Sequence, residues 1–447
     1  MKTLFVTSFH PHISRNILGT EVLEKFKQTP NLRVVILAPF YKKDYFQKNF
    51  GGDNVVLEGV PMYQASKTKR GLLFKKLGVF LFGSGTAKLK TKYKYYNDKK
   101  FFYFVSAMAL GFIGKSFLVR KAIRTLDQKF SPKGFFKELL ERYKPDAIFS
   151  TDPQNENDVS LMQDAKDANI PIIAMLRSWD NTTQRILRVL PDKLLAGSDE
   201  LKKEVVAMYR YPENKTAITG NPHYDKYVKG PTKSKEDFFA EFGLDTQKKL
   251  ITYAPVGDHL VTHNDIDQYI MEILGELHET QILIRFPPDE AVTLVNFNKP
   301  RNMFYDKPGQ AFKSDEFGDR EIRKEDDERL INEIYHSDLI ITGPTSISLD
   351  SALIDKPVIT VNFYRSPRNL FDGIYTNYCD HIKKLLETHG VRHASSKEDF
   401  LKFIKDYLEN PKLDSEGRAK IRSMWFSRAD GRAGERVALE ILKFIRL

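Results

Sequence analysis

An α/β chain of two doubly wound, Rossmann-like domains is predicted by three features of the sequence. Short apolar runs alternate with helix-period segments along most of the 447 residues, the pattern of βαβ units and parallel sheets. That rhythm breaks once, at GNPHYDKYVKGPTKSKED (residues 220–237), where Gly, Pro and charge replace it, and then restarts. A 41% hydrophobic composition on this length supports two cores, each serving roughly 200 residues.

The elements follow in order. The first half reads as strand 4–7, helix 16–27 and strands 34–37 and 55–57. After an interruption come helix 133–143, strand 147–150, helix 158–168, strand 171–176, strand 193–196, helix 200–208 and strand 216–218. The second half reads as strand 250–254, helix 265–277, strand 281–285, helix 325–336, strand 339–342, helix 346–354 and strand 358–361. The expected domains are 1–225, carrying an insertion at about 64–130, then 226–428, then a C-terminal helix at 429–447 that crosses back to the N-terminal domain. Ligands of open parallel sheets sit at the carboxyl ends of the strands, so two such domains are expected to face a cleft.

The net charge of +11 belongs to the insertion. Between Gln64 and Arg124 stand fifteen Lys and Arg against Asp98 alone, a local +14 that leaves −3 elsewhere, so a nucleic-acid partner is not expected. Within this segment FFYFVSAMALGFIG, about fourteen residues from Phe101, is shorter than the roughly 18 a spanning helix needs. An apolar stretch flanked by lysines is expected to lie on an anionic membrane surface; the competing reading is a buried helix with a solvated basic rim. The single cysteine, Cys379, excludes an internal disulfide, and MKTLFVTSFHPH reads as a first strand rather than a signal peptide. The expected location is the cytoplasm, peripheral on the inner face of the plasma membrane.

Three segments carry a resemblance. SDLIITGPTSISLDSALIDKPVITVNFY, with Thr345-Ser346 followed by Asp350 and then Lys-Pro-Val-Ile, resembles the donor motif of CDP-glycerol glycerophosphotransferases and related capsule glycosyltransferases. ADGRAGERVALEIL is similar to the closing helix of those enzymes. RSWDNTTQRILRVLPDKLLAGSDELKKEVV followed by ITGNPHYDKY resembles segments of bacterial surface-polysaccharide glycosyltransferases. The resemblance implies the GT-B fold and an enzyme that moves a sugar from a nucleotide-activated donor to a lipid-linked or polymeric glycan acceptor in surface polysaccharide biosynthesis. The alternatives it leaves are a CDP-polyol glycerophosphotransferase-like enzyme and a sugar-nucleotide 2-epimerase. No clear match to the paired catalytic histidines of the glycerophosphotransferases is found.

The candidate residues are assigned by the chemistry each can do. Gly343, Thr345 and Ser346 at a strand-to-helix turn offer amides and hydroxyls to a diphosphate; Asp350, one turn on, offers an acceptor for a ribose or sugar hydroxyl. Arg285 ends a strand and can pair with phosphate, and Gly257 follows the preceding strand. Each has an ordinary alternative: a helix cap for the hydroxyls, a strand-end salt bridge for Arg285. A base near neutrality is needed to deprotonate an acceptor hydroxyl, which points to His12 or His10, with Asp180 and Asp152, both after strands on the same edge, as competitors. Arg15, Asn16, Asp152, Trp179 and Asn181 complete the acceptor side. No cofactor and no metal are expected, the donor itself being a co-substrate. Asp265 and Asp267 fall two apart on a predicted helix, where they project to different faces, and no zinc spacing, Walker loop or G-x-S-x-G is present.

Overall fold

The computed structural model describes residues 1–261, 264–288, 291–312 and 320–447 and separates into two compact units, Met1–Asp225 with Ser427–Leu447, and Lys226–Phe426. The first unit is built on β1 (Lys2–Thr7), β2 (Leu32–Pro39), β3 (Val55–Val60), β4 (Ala147–Ser150), β5 (Ile172–Met175), β6 (Lys193–Ala196) and β7 (Thr216–Ile218). They form one parallel sheet in the order β3-β2-β1-β4-β5-β6-β7. Both faces are covered, so the strands are apolar throughout and their alternation divides two cores. Leu4 and Val6 of β1 join Val22, Leu23 and Phe26 of helix Glu21–Gln28, whereas Phe5 joins Val159, Leu161 and Met162 of helix Glu156–Asp167.

The helix Ala433–Phe444 belongs to this unit. It packs on helix Glu21–Gln28 and places Val437, Ala438 and Ile441 in the core of Leu4 and Val6. The Asp225 carboxylate accepts from the amides of Ala433 (2.9 Å) and Gly434 (2.7 Å) at its start, and Arg436 Nε donates to the Thr219 carbonyl at 2.7 Å. Gly220 sits at φ +81°, and a Cβ there would lie 2.8 Å from that of Ala433, so only glycine fits. Two segments that stand out in the sequence, 218–227 and 429–442, therefore form one joint.

The second unit contains β8 (Lys249–Ala254), β9 (Thr280–Arg285), β10 (Met303–Asp306), the short antiparallel pair β11 (Gln310–Ala311) and β12 (Arg320–Glu321), then β13 (Leu339–Thr342), β14 (Val358–Val361) and β15 (Arg392–Ala394). Its parallel sheet runs β10-β9-β8-β13-β14-β15. Both units are thus Rossmann-like, as in the GT-B fold. The strands that sequence patterning does not reveal, β10 and β15, are the two edges of this sheet, where a strand has one neighbour and carries polar residues such as Asp306, Arg392 and His393.

The expected helix 16–27 is broken. A short helical turn at Pro11–Ile13 passes into a wide turn over Ser14–Leu18, closed by the Gly19 amide on the Ser14 carbonyl at 2.7 Å, and a new helix starts at Glu21. Such i→i+5 turns cluster at functional sites.

The insertion folds as helices Lys69–Phe80, Gly85–Asp98, Phe101–Ile113 and Phe117–Phe130. No single helix is long and apolar enough to cross a membrane, although the last two pass together as a pair bent by 114°. The buried-helix reading fails for Phe101–Ile113: only Ala107 and Gly111 are buried, while Phe102 is 84% and Phe112 74% exposed. The segment is nonetheless anchored. Arg188 pairs bidentately with Asp127 of the last helix (2.7 and 2.8 Å) and with Glu156 (2.6 Å), all three being buried. Ser84 donates to the Thr183 carbonyl at 2.6 Å and the Ile186 amide to the Gly78 carbonyl at 2.9 Å.

Candidate active site

Each sheet reverses its strand order once, between β1 and β4 in the first unit and between β8 and β13 in the second. These switch points open a crevice at the carboxyl ends of the strands, and both hold residues singled out from the sequence.

In the first unit the ends of β1 and β4 are tied by polar bonds. Thr7 and Ser150 donate to Asp158 Oδ1 at 2.6 and 2.7 Å, and Thr151 donates from its amide to Thr7 Oγ1 and from its hydroxyl to the Thr7 carbonyl, each at 2.9 Å. Burial, then the charge of Asp152, pushes Asp158 up to about 8, so this carboxyl is neutral at pH 7. In front of it lies a cavity of about 500 Å³, within the size range of small-molecule sites. His10, Asp152, Gln154 and Arg177 from the strand ends form one part of its lining; Ser66, Lys67 and Lys75 from the insertion form another.

His10 accepts at Nδ1 from the His12 amide (3.2 Å), and its Nε2 meets the Arg177 guanidinium, which pairs through Nε with Asp152 at 3.1 Å. Burial, followed by the positive charges of Arg177, Lys42 and Arg15, holds His10 well below the ordinary imidazole value of 6.5. It is therefore neutral at pH 7, as a base must be. His12 is held down by burial and by His10, and its ring stands 4.8 Å behind that of His10 without lining the cavity. Of the two histidines, the geometry presents His10.

The other acceptor-side residues divide. Asp152 and Asn181 line the cavity, Asn181 being held by Gln154 Oε1 at 3.1 Å and by the Ser178 amide at 2.8 Å. Arg15 donates to Asn16 Oδ1 at 3.0 Å, and Asn16 reaches the Arg177 carbonyl at 3.5 Å, so both brace the loops behind it. Asp180 takes a hydrogen bond from Gln184 and, like the half-buried Trp179, does not line the cavity. Arg177, Gln154, Arg185 and Tyr63 are lining residues that the sequence reading missed. Arg177 carried nearly the signal of Arg285, an arginine at the carboxyl end of a strand: Arg285 is the last residue of β9 and Arg177 stands two residues after β5. Tyr63 is held at φ +58° with its amide on Asn157 Oδ1 at 2.7 Å; a left-handed aromatic is costly, and such residues gather at functional sites.

In the second unit Gly343, Thr345 and Ser346 lie at the switch point beside the loop after β8. A Cβ on Gly343 would fall 2.9 Å from Val256 Cγ2, so its absence permits the two loops to touch. The Thr345 hydroxyl bonds that of Thr342 at 2.9 Å. Ser346 is the residue before helix Ile347–Leu353, yet its hydroxyl makes no cap bond, which disfavours the capping reading for that residue.

Three donor-side expectations are corrected. Arg285 is 5% exposed, its Nη1 held by Asp306 (2.7 Å) and Glu333 (3.0 Å) and its Nη2 by the Asp326 carbonyl (2.8 Å); it is the internal strand-end ion pair and does not offer its guanidinium to a phosphate. Gly257 turns at φ +88°, but its amide points at Asp267 Oδ2, 3.0 Å away, and is spent there. Asp350 is 1% exposed, so its carboxylate is not presented to solvent. Asp267 also accepts from Tyr253 and the Val256 amide, while Asp265 pairs with Arg368 at 2.6 Å, so the two aspartates do not converge. Among the described residues no group of three or more His, Cys, Asp or Glu is placed to hold a metal ion.

Comparison with known proteins adds a family and a fold. A family model described as CDP-Glycerol:Poly(glycerophosphate) glycerophosphotransferase matches residues 173–443. No curated protein matches the chain. Among solved structures, the UDP-GlcNAc 2-epimerase from Neisseria meningitidis bound to UDP-GlcNAc is similar with a TM-score of 0.56 at 14% identity, over 99% of this chain and all of that one. The S. aureus MnaA structure with UDP gives 0.55 at 13% identity, over 100% of this chain and 98% of that one. At these identities the likeness is one of fold.

Proposed function

From the premise that the chain belongs to the CDP-glycerol:poly(glycerophosphate) glycerophosphotransferase family, we propose that it carries the activated group of a nucleotide donor to a hydroxyl of a lipid-linked or polymeric acceptor. The observation that carries this reading is a neutral histidine, His10, on the wall of a cavity that also holds Asp152 and several cationic side chains. Neutral His10 has a single lone pair, and its Nδ1 faces the His12 amide and its Nε2 the Arg177 guanidinium. Removing a proton from an acceptor hydroxyl therefore requires the bound acceptor to displace the Arg177 contact at Nε2 while Nδ1 carries the ring proton. The acceptor is assigned to the first unit, with His10 as base. The donor is assigned to the second, with Ser346 and the turn at Gly343 toward its phosphates.

The transferred group is taken to be a sugar, in line with the segments that resemble polysaccharide glycosyltransferases, in an inverting transfer without a metal. The description of the matched family favours a second reading, glycerol phosphate from a CDP donor. The nucleotide product separates them. Sugar transfer breaks the bond between sugar and diphosphate and releases a nucleoside diphosphate. Transfer of glycerol phosphate breaks the diphosphate itself and releases CMP, and an epimerase needs no acceptor and releases neither. Incubation of the full chain with nucleotide sugars or CDP-glycerol, a glycan or poly(glycerophosphate) acceptor and EDTA is expected to give acceptor-dependent nucleotide release. Release that needs no acceptor, or that stops with EDTA and returns with Mg²⁺, would count against the mechanism.

The protein is further proposed to work on the cytoplasmic face of the membrane, in surface polysaccharide synthesis. Support comes from the insertion, whose apolar residues Phe102, Phe112 and Leu118 are exposed beside its lysines. Basic residues near an anionic leaflet contribute on the order of 1 kcal/mol each. Replacing the exposed Lys69, Arg70 and Lys76 with Gln is expected to weaken co-sedimentation with phosphatidylglycerol vesicles by about tenfold to a hundredfold at low salt; unchanged binding would refute an electrostatic anchor.

A further inference from the structure

The cavity in the first unit has one wall that the strand ends do not supply. Ala65–Lys67 form a single tight turn and Lys69–Phe80 the helix that follows, and from these Ser66, Lys67 and Lys75 reach the cavity that His10 lines. The remaining charges there are largely matched within the protein. Arg177 pairs with Asp152 at 3.1 Å, and Glu156 is bound by Arg188 at 2.6 Å with Arg185 3.9 Å away. Lys67 and Lys75 are different: among the described residues neither ammonium has a carboxylate within ion-pair distance. The Ser66 hydroxyl is buried and has no hydrogen-bond partner. A buried hydroxyl without a partner costs free energy unless something else satisfies it.

Two unpaired ammonium groups and an unsatisfied donor on one wall, with a neutral base on the same cavity, describe a site for an anion. We propose that this cavity binds a phosphoryl group of the acceptor, with Lys67, Lys75 and Ser66 holding it. The proposal rests on the acceptor-side reading above and deepens it: poly(glycerophosphate) stands in the description of the matched family, and what is added is that the inserted segment supplies the wall that holds the acceptor's phosphoryl group. The turn that places these residues is built for it, since a Cβ at Gly71 would lie 1.9 Å from the Ala65 carbonyl oxygen and the Thr68 hydroxyl accepts from the Gly71 amide at 3.0 Å. The phosphoryl group can come from a soluble or polymer-borne phosphate, or from a lipid headgroup presented by the membrane.

The test is binding, measured without nucleotide or turnover, so its outcome is independent of which donor the enzyme uses. The full chain is titrated calorimetrically with glycerol 3-phosphate and with glycerol at low salt, and its binding to phosphatidylglycerol vesicles is followed by co-sedimentation. Glycerol 3-phosphate is expected to bind and glycerol not. Lys67→Gln with Lys75→Gln is expected to weaken glycerol 3-phosphate binding at least tenfold with an unchanged melting temperature, whereas Lys69→Gln with Lys76→Gln leaves it unaltered. Vesicle binding weakened in the first variant no more than in Lys69→Gln/Lys76→Gln assigns the site to an acceptor phosphate; a loss well beyond that control assigns it to a headgroup. Equal binding of glycerol 3-phosphate by the wild type and Lys67→Gln/Lys75→Gln, equal loss in both double variants, or loss of vesicle binding alone would each overturn the proposal.

Discussion

His10→Ala is expected to slow acceptor-dependent transfer by about 10²–10⁴-fold in kcat, the usual contribution of a positioned general base, while leaving the melting temperature and nucleotide binding near their wild-type values. His12→Ala, whose ring stands behind His10 and does not line the cavity, is expected to cost less than about tenfold, so the contrast between the two variants is the measurement. The pH profile supplies an independent check. Burial, then Arg177, holds His10 below 6.5, so the acid limb of kcat/KM should fall below pH 6.5. Arg177→Ala removes a cation from the ring and should move that limb upward. The same displacement makes the folded state lose stability as pH falls from about 6.5 toward the lowered folded value, with the full contribution present above 6.5. Equal losses for both histidines, or an acid limb that ignores Arg177, would remove His10 from its assigned role.

Arg188→Ala is expected to destabilise the first unit by about 3–5 kcal/mol, the range seen when one partner of a buried pair is removed. The guanidinium serves two carboxylates at once, Asp127 and Glu156, and neither has more than a few per cent of its side chain exposed. Ser131 and Gln163 also bond Asp127, yet they bring no charge. Urea unfolding of the full chain at pH 7.5 tests the cause. Arg188→Met keeps most of the volume and strands the same two carboxylates, so a deficit close to that of Arg188→Ala assigns the loss to the broken pairs, whereas a much smaller one would point to lost packing instead. Arg188→Lys retains the charge without the fork and should recover part of the loss. Because Asp127 lies on an insertion helix and Glu156 on the cavity, the same variant is expected to loosen the insertion.

What the sequence disclosed follows from how each feature is encoded. The strands at the centres of both sheets are legible because burial on two faces demands continuous apolar runs such as Phe5-Val6 and Ile340-Ile341. The edge strands β10 and β15 escape because one open side tolerates Asp306 and Arg392. Arg177 and Arg285 show the limit for sites. Both are arginines at or just after the end of a strand, and nothing local tells which of them turns inward. Asp306, Glu333 and Asp326, 21 to 48 residues away, draw the second inward, whereas the first reaches a cavity. The chemistry-bearing turn after β1 was legible in its histidines, but not which of them faces outward, since that depends on the wide turn at Ser14–Leu18. The basic insertion was legible as charge. Its place on the cavity wall was not, because Lys67 and Lys75 acquire that position only when the turn Ala65–Lys67 packs on helix Glu156–Asp167 and the Ile186 amide bonds the Gly78 carbonyl, contacts far apart in sequence.

The joint between Asp225 and the helix Ala433–Phe444 has a consequence for biogenesis. During vectorial synthesis the ribosome emits β1 through β7 early, but the strip of sheet that Val437, Ala438 and Ile441 cover stays open while the second unit is made. At roughly 5–20 residues per second, about two hundred residues correspond to about 10–40 s of exposure. The second unit, contiguous in sequence, can close first. The nascent first unit waits with that apolar strip bare, and exposed apolar surface of this kind is where misassembly starts.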